Sequence, residues 1–206
     1  MIKILNENEL KIANENRSKI NEKHIEELEG YKLNDCSIIS SNCIGGMIYH
    51  DLGLKFKSPT INLYFSCHDF ALFVNNLYYY LQLTPKEFSY ERFPILLLDD
   101  IKLFCQHYKS YKEAIETWER RKERVNYSDI YVIATDRDCT NVQDLQLIDQ
   151  APYNKTIFVS NPNLILQNGV FVPGYENQVG HLDRFIDESG YREYEKFLSL
   201  KRVFRR

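Results

Sequence analysis

With 206 residues, 26 Lys and Arg against 29 Asp and Glu, and a formal net charge of -3, the chain has no general attraction for nucleic acid. Its 44% hydrophobic content suits a globular domain large enough to bury a core, and no apolar run approaches the roughly 20 residues of a membrane span. Five cysteines (Cys36, Cys43, Cys67, Cys105 and Cys139) form no C-x-x-C pair, which speaks against a disulfide framework or structural zinc and for a reducing, cytoplasmic setting. The polar N-terminus has none of the pattern of a signal peptide.

Residues 7 to 29 space Leu10, Ile12, Ala13, Ile20, Ile25 and Leu28 among charges, which predicts an amphipathic helix or helix pair ended by Gly30. The expected organisation is therefore an N-terminal helical extension, residues 1-32, followed by a single α/β domain, residues 33-206. Cys36 to Ser40 reads as the first strand. Ser41 to Gly46 reads as a turn, with a helix from Met47. Alternation of Ile61, Leu63 and Phe65 suggests an extended stretch, and Ser66 with Asp69 caps a helix over residues 70 to 83. Apolar runs around Asp99-Asp100 predict a hairpin or a strand that breaks at an acidic turn, and Ser110 with Glu113 opens the next helix through a capping box. Ile130 to Ala134 has the length and β-branching of a buried strand. A short helix over residues 141 to 150, a strand at Thr156 to Val159, a late β element near Gly169 and a helically spaced tail from Asp183 complete the chain. The basic end, Lys201 to Arg206, reads as solvated. This β-α order favours a three-layer α/β/α domain with a largely parallel or mixed sheet.

Polar clusters follow three of these strands, at the edge where open α/β sheets bind ligands. In the first, Ser41, Asn42, Gly45 and Gly46 could cradle a phosphate or acyl group, although neither G-x-G-x-x-G nor a Walker lysine is present. Valine at Gly45 or Gly46 should on this reading do more harm than at Gly190. Cys43 heads the following helix and His50 lies one to two turns on, the pairing a cysteine nucleophile would need; a small buried hydrophobe is the plainer reading. In the second cluster, Asp136 and Asp138 form a D-x-D tripeptide that can ligate Mg²⁺ or Mn²⁺ beside a diphosphate, or else an internal Asp-Arg pair. Ser160 and Asn161 make the third. His68, His107 and His181 show no metal-ligand spacing and read as solvated or hydrogen-bonded side chains.

The run S-N-C-I-G-G-M-I-Y-H-D-L-G-L-K-F-K-S-P-T-I-N-L-Y-F from Ser41 to Phe65, with Asp69-Phe70 and T-D-R-D-C-T from Thr135 to Thr140, resembles a bacterial exopolysaccharide-biosynthesis-like family, domain of unknown function 1919. The resemblance covers about residues 33 to 200, outside the helical N-terminus. It implies an α/β domain in a surface-polysaccharide setting and carries no catalytic residue with it. The expected function is a transferase, glycosyl or other, acting on a small-molecule or carbohydrate substrate. The alternatives are a non-catalytic glycan- or partner-binding protein and a cysteine hydrolase using Cys43 and His50.

Overall fold

The structure, a computed structural model, describes residues 4–206. Helix α1 (Glu7–Glu27) opens on a capping box in which Asn6 Oδ1 accepts the Glu9 N–H at 3.0 Å and the Glu9 carboxylate accepts the Asn6 N–H at 2.8 Å. Strand β1 (Ser37–Ser40) leads into α2 (Ile44–Asp51), and α3 (Cys67–Asn75) is followed by α4 (Leu77–Gln82). Next come β2 (Lys86–Tyr90), β3 (Pro94–Leu98) and β4 (Ile101–Phe104), then α5 (Tyr111–Lys122), β5 (Ile130–Thr135), α6 (Val142–Gln150), β6 (Asn154–Val159) and β7 (Gly169–Phe171). A 3₁₀ turn at Glu193–Lys196 and α7 (Leu200–Val203) end the chain.

Four strands pair in parallel in the order β1-β5-β6-β7, and β2-β3-β4 form a separate antiparallel sheet. Every residue of β5 is buried, as a central parallel strand requires, and its side chains divide between two cores. Ile130, Val132 and Ala134, with Ile39, Ile157 and Val159 of the flanking strands, face a core built from α3 to α6 and the antiparallel sheet. Tyr131 and Ile133, with Ile38 and Phe158, face the opposite way onto Ile44 and Ile48 of α2 and onto Leu182, Tyr194 and Phe204 of the C-terminal segment. The period-2 side-chain alternation thus produces three layers.

Several local expectations are corrected. Helix α2 begins at Ile44 rather than Met47, so Gly45 and Gly46 are helical and buried. The helix expected over residues 70 to 83 breaks at Asn76, which leaves helical geometry at φ -125°. Residues 61 to 65 are irregular, joined to β4 by a single bridge between Tyr64 and Phe104. Strand β2 was not foreseen because its residues are mostly exposed and carry no buried alternation. The C-terminal tail is largely irregular instead of helical, and its basic end is anchored, since Val203 and Phe204 are buried in the second core.

Helix α1 is tied to the domain by charge more than by apolar area. Of its residues only Ala13 and Arg17 are buried. The Arg17 guanidinium lies 2.8 Å from Asp51 Oδ2 and 2.9 Å from Glu195, and Arg192 reaches the same Asp51 carboxylate at 2.6 Å. Burial pushes the Asp51 carboxyl up, but the hydrogen bond and charge of Arg192 and the charge of Arg17 outweigh it and hold the group below its usual range.

Two glycines mark close approaches. A Cβ on Gly45 would stand 2.9 Å from the Ser40 Cβ and 3.1 Å from Ile38 Cγ2, so glycine there lets α2 lie against β1. Gly190 has φ +87°, and a Cβ there would stand 2.7 Å from the backbone N of Arg17 and 2.9 Å from the Ala13 carbonyl oxygen. Gly190 is therefore no tolerant reference position, because it seats the C-terminal segment against the backbone of α1.

Gly190→Val is expected to destabilise the protein at least as much as Gly45→Val, whose overpacking should cost about 1–3 kcal/mol; urea unfolding midpoints of the two variants decide the order. Arg17→Met strands Glu195 and half of the Asp51 site and should cost about 3 kcal/mol. An Asp with a depressed folded-state pKa contributes stability above its unfolded pKa and loses it as pH falls through the folded value. The acid limb of the stability curve should therefore be shallower in Arg17→Met than in the parent protein.

Candidate functional site

The parallel sheet is paved on both faces, so the polar residues beyond its strands collect at the carboxyl edge. After β1 the ladder continues by one bond, from the Ser41 N–H to the Ile133 carbonyl at 3.1 Å. Asn42 Oδ1 then accepts the Ile44 N–H at 3.0 Å and the Ser40 hydroxyl at 3.1 Å. This turn places Cys43 at the cap position of α2. Cys43 opens onto a cleft that Asn42, Tyr64, His107, Arg137 and His181 also line.

Within this cleft the Cys43 Sγ lies 3.9 Å from His107 Nε2, a long sulfur–nitrogen contact that suits a thiol and an imidazole. The expected partner, His50, is elsewhere: its Nδ1 lies 3.2 Å from Asp51 and its side chain is 74% exposed. Residues 43 and 50 span one helix, while Gln106-His107 follows β4 and is carried over the cleft by the Tyr64–Phe104 bridge, N–H to carbonyl at 3.0 Å in both directions. Burial pushes the Cys43 thiol up, Asp183 adds to this and Arg137 opposes it, so the group rests as a thiol despite its place at a helix start.

Asp136 and Asp138 have separate tasks. One oxygen of Asp136 accepts both the N–H and the hydroxyl of Ser160 at 2.7 Å, and the other accepts the Val179 N–H at 2.6 Å. Asp136 is 8% exposed and acts as a staple between β5, β6 and the C-terminal segment. Asp138, in left-handed backbone at φ 56°, accepts the Tyr64 hydroxyl, and its N–H donates to Gln178 at 2.6 Å. Mg²⁺ or Mn²⁺ does not fit this pair: the two carboxylates face different partners, and among the described residues no three His, Cys, Asp or Glu side chains converge as a metal set.

The remaining expected ligand residues divide in the same manner. Asn42 borders the cleft, and Ser41 and Asn42 both border a small crevice beside it. Gly45 and Gly46 face Ile38, Ser40 and Ile61 and serve packing. Ser160, 4% exposed, serves Asp136, and Asn161 Oδ1 accepts the Asn163 N–H of its own turn at 2.9 Å.

Tyr64 carries no site reading in the sequence, Arg137 reads there only as a partner for Asp, and His107 and His181 read as solvated or hydrogen-bonded side chains, yet all four line the cleft. Burial of Leu63 and Phe65 turns Tyr64 to the opposite side, a signal present in the alternation itself. Arg137 is turned outward by the same logic, between an inward Asp136 and a turn residue. His107 and His181 arrive from distant segments, and no local pattern marks them.

The sequence speaks against a disulfide framework, yet one pair of cysteines is bonded. Cys67, first residue of α3, and Cys139, directly after Asp138, are bonded with Cα atoms 5.0 Å apart. The bond joins the helix layer to the loop bearing Arg137. Cys36, Cys43 and Cys105 are free, and of these only Cys43 is not buried.

Asp136→Asn puts an amide N–H₂ where three donors converge and should cost about 2–4 kcal/mol, whereas Asp138→Asn, exposed and bonded to one hydroxyl, should cost under about 1 kcal/mol. Thermal unfolding of the two single variants measures the contrast.

An uncharacterized protein of Haemophilus influenzae is 36% identical over 166 residues, which span 78% of this chain and 80% of that protein. The family described as Domain of unknown function (DUF1919) matches residues 5–203, a span that takes in α1 as well as the α/β layers, beyond the stretch over which the motifs alone carry the resemblance. The chain belongs to the DUF1919 family.

Proposed function

We propose that the protein is a group-transfer enzyme that works through a covalent bond to Cys43, with His107 as general base and acid. The observation that carries this reading is the Cys43–His107 pair at 3.9 Å in a cleft at the carboxyl edge of the parallel sheet. A thiol whose pKa is raised needs a base at the moment of attack. His107 takes the thiol proton as sulfur adds to an acyl carbon, and returns it to the leaving group as the bond to that group breaks. An acceptor hydroxyl then attacks the thioester, His107 takes its proton, and the sulfur leaves to be protonated again. Transfer is favoured over hydrolysis by the resemblance alone, which also supplies the setting: a carbohydrate acceptor in surface-polysaccharide synthesis. The cation-assisted route through Asp136 and Asp138 has no support from the arrangement of those side chains.

p-Nitrophenyl acetate, an activated acyl donor, should leave one acetyl group on Cys43, detected by intact mass and peptide mapping. Cys43→Ala should abolish the adduct, and His107→Gln should slow its formation about 10²-fold or more at neutral pH. Alkylation by iodoacetamide in His107→Gln should rise with pH to and beyond the ordinary thiol range, because burial holds the thiol protonated. Acetylation that persists in Cys43→Ala, or a rate indifferent to His107, would sink the reading.

A further inference from the structure

The cleft contains a second arrangement that the thiol–imidazole pair does not use. The Arg137 guanidinium lines the same cleft as Cys43, and its Nη1 is 3.1 Å from His181 Nε2. On the other side of that ring, His181 Nδ1 is 3.5 Å from Asp183 Oδ1. An arginine can only donate, so His181 accepts at Nε2, carries its proton on Nδ1 and turns that N–H towards Asp183. The chain Asp183–His181–Arg137 therefore aims the guanidinium while leaving most of its N–H fork unspent. The contact from Arg137 Nε to Asp138 Oδ2 is long, at 3.7 Å, and Asp138 is engaged by the Tyr64 hydroxyl. The Arg137 side chain is 36% exposed, at the mouth of a cleft whose enclosed part is about 40 Å³. That space takes a compact group and leaves the rest of a ligand in solvent.

We infer that Arg137 binds an oxyanion of the substrate, a phosphate ester or a carboxylate, and that His181 and Asp183 are positioning residues for it. A planar fork with free N–H groups pairs with two oxygens of such a group, and a partly enclosed site strengthens the bond over one in bulk water. The proposal deepens the cysteine reading: the molecule that meets Cys43 carries an anionic group beside the transferred one, as a phosphorylated carrier or an acidic sugar would. Oxyanion binding itself needs no thiol. The two ideas can therefore fail separately.

The test is titration calorimetry of the full chain with inorganic phosphate and with malonate, in the parent protein, Cys43→Ser and Arg137→Gln. Binding of at least one anion to the first two, with an apparent Kd at least tenfold higher in Arg137→Gln, is the expected result; which anion binds identifies the group. His181→Gln keeps an acceptor for Arg137 and a donor for Asp183 and should retain most of the affinity, whereas His181→Leu should lose it. The His181 pair also decides the matter if Arg137→Gln does not fold. Absence of binding to the parent protein, or equal affinity in parent and Arg137→Gln, or in both His181 variants, overturns the proposal. Binding retained in Cys43→Ser while p-nitrophenyl acetate leaves the parent unmodified would instead remove the covalent mechanism and keep the anion site.

Discussion

Strand β5 is buried along both faces, and that constraint organises the rest of the molecule. Hydrogen-bonded to β1 on one side and β6 on the other, it has no surface open to water except at its ends. Apolar side chains must cover both faces, so polar function is expelled to the carboxyl edge. There Thr135 ends the strand and the next residues divide by direction: Asp136 turns in to Ser160 and Val179, while Arg137 turns out to the cleft. One residue of register separates a structural staple from a half-buried cation.

The second organising element is the buried charge cluster of Arg17, Asp51, Arg192 and Glu195. It ties α1, which buries little apolar surface, to the end of α2 and the C-terminal segment. Glycine at 190 allows the backbones to close to this distance. The same C-terminal segment carries His181 and Asp183 to the cleft and Gln178 to the Asp138 N–H. Docking of α1 and completion of the site thus depend on one stretch of irregular chain.

Much of the layer structure was legible in the sequence because it rests on local signals. Ser66 and Ser110 cap their helices as they suggest, although the Glu113 carboxylate accepts the Lys109 N–H and so leaves the expected capping box half formed; the Asp99-Asp100 turn closes the β3–β4 hairpin, and the β-branched run at Ile130 is the central strand. The glycines were read correctly as markers of close approach and wrongly as to what approaches: at Gly45 it is the protein's own strand. Cys43 was visible as a residue at a helix start, but its partner was not. His107 meets it through strand pairing between residues far apart in sequence, and pairing of that kind leaves no periodic trace. The Asp136 and Asp138 tripeptide is misleading because residues two apart share a face only while the chain stays extended: Asp138 sits in left-handed backbone at φ 56°, so its carboxylate meets Tyr64 while that of Asp136 turns in to Ser160 and Val179.

The Cys67–Cys139 bond encloses a loop of 72 residues of sequence separation, which contains the helices α3 to α5 and all of the antiparallel sheet. Closing a loop of that length restricts the unfolded chain by roughly 4 kcal/mol in the chain-entropy account, a large share of an ordinary domain's net stability. Where thiols are kept reduced, that contribution vanishes and only two small side chains in contact remain. The antiparallel sheet and its helices would then be held to the Arg137 loop by packing and a few hydrogen bonds, such as that of Tyr64 to Asp138, so the durability of this half of the molecule becomes a property of its surroundings as much as of its sequence.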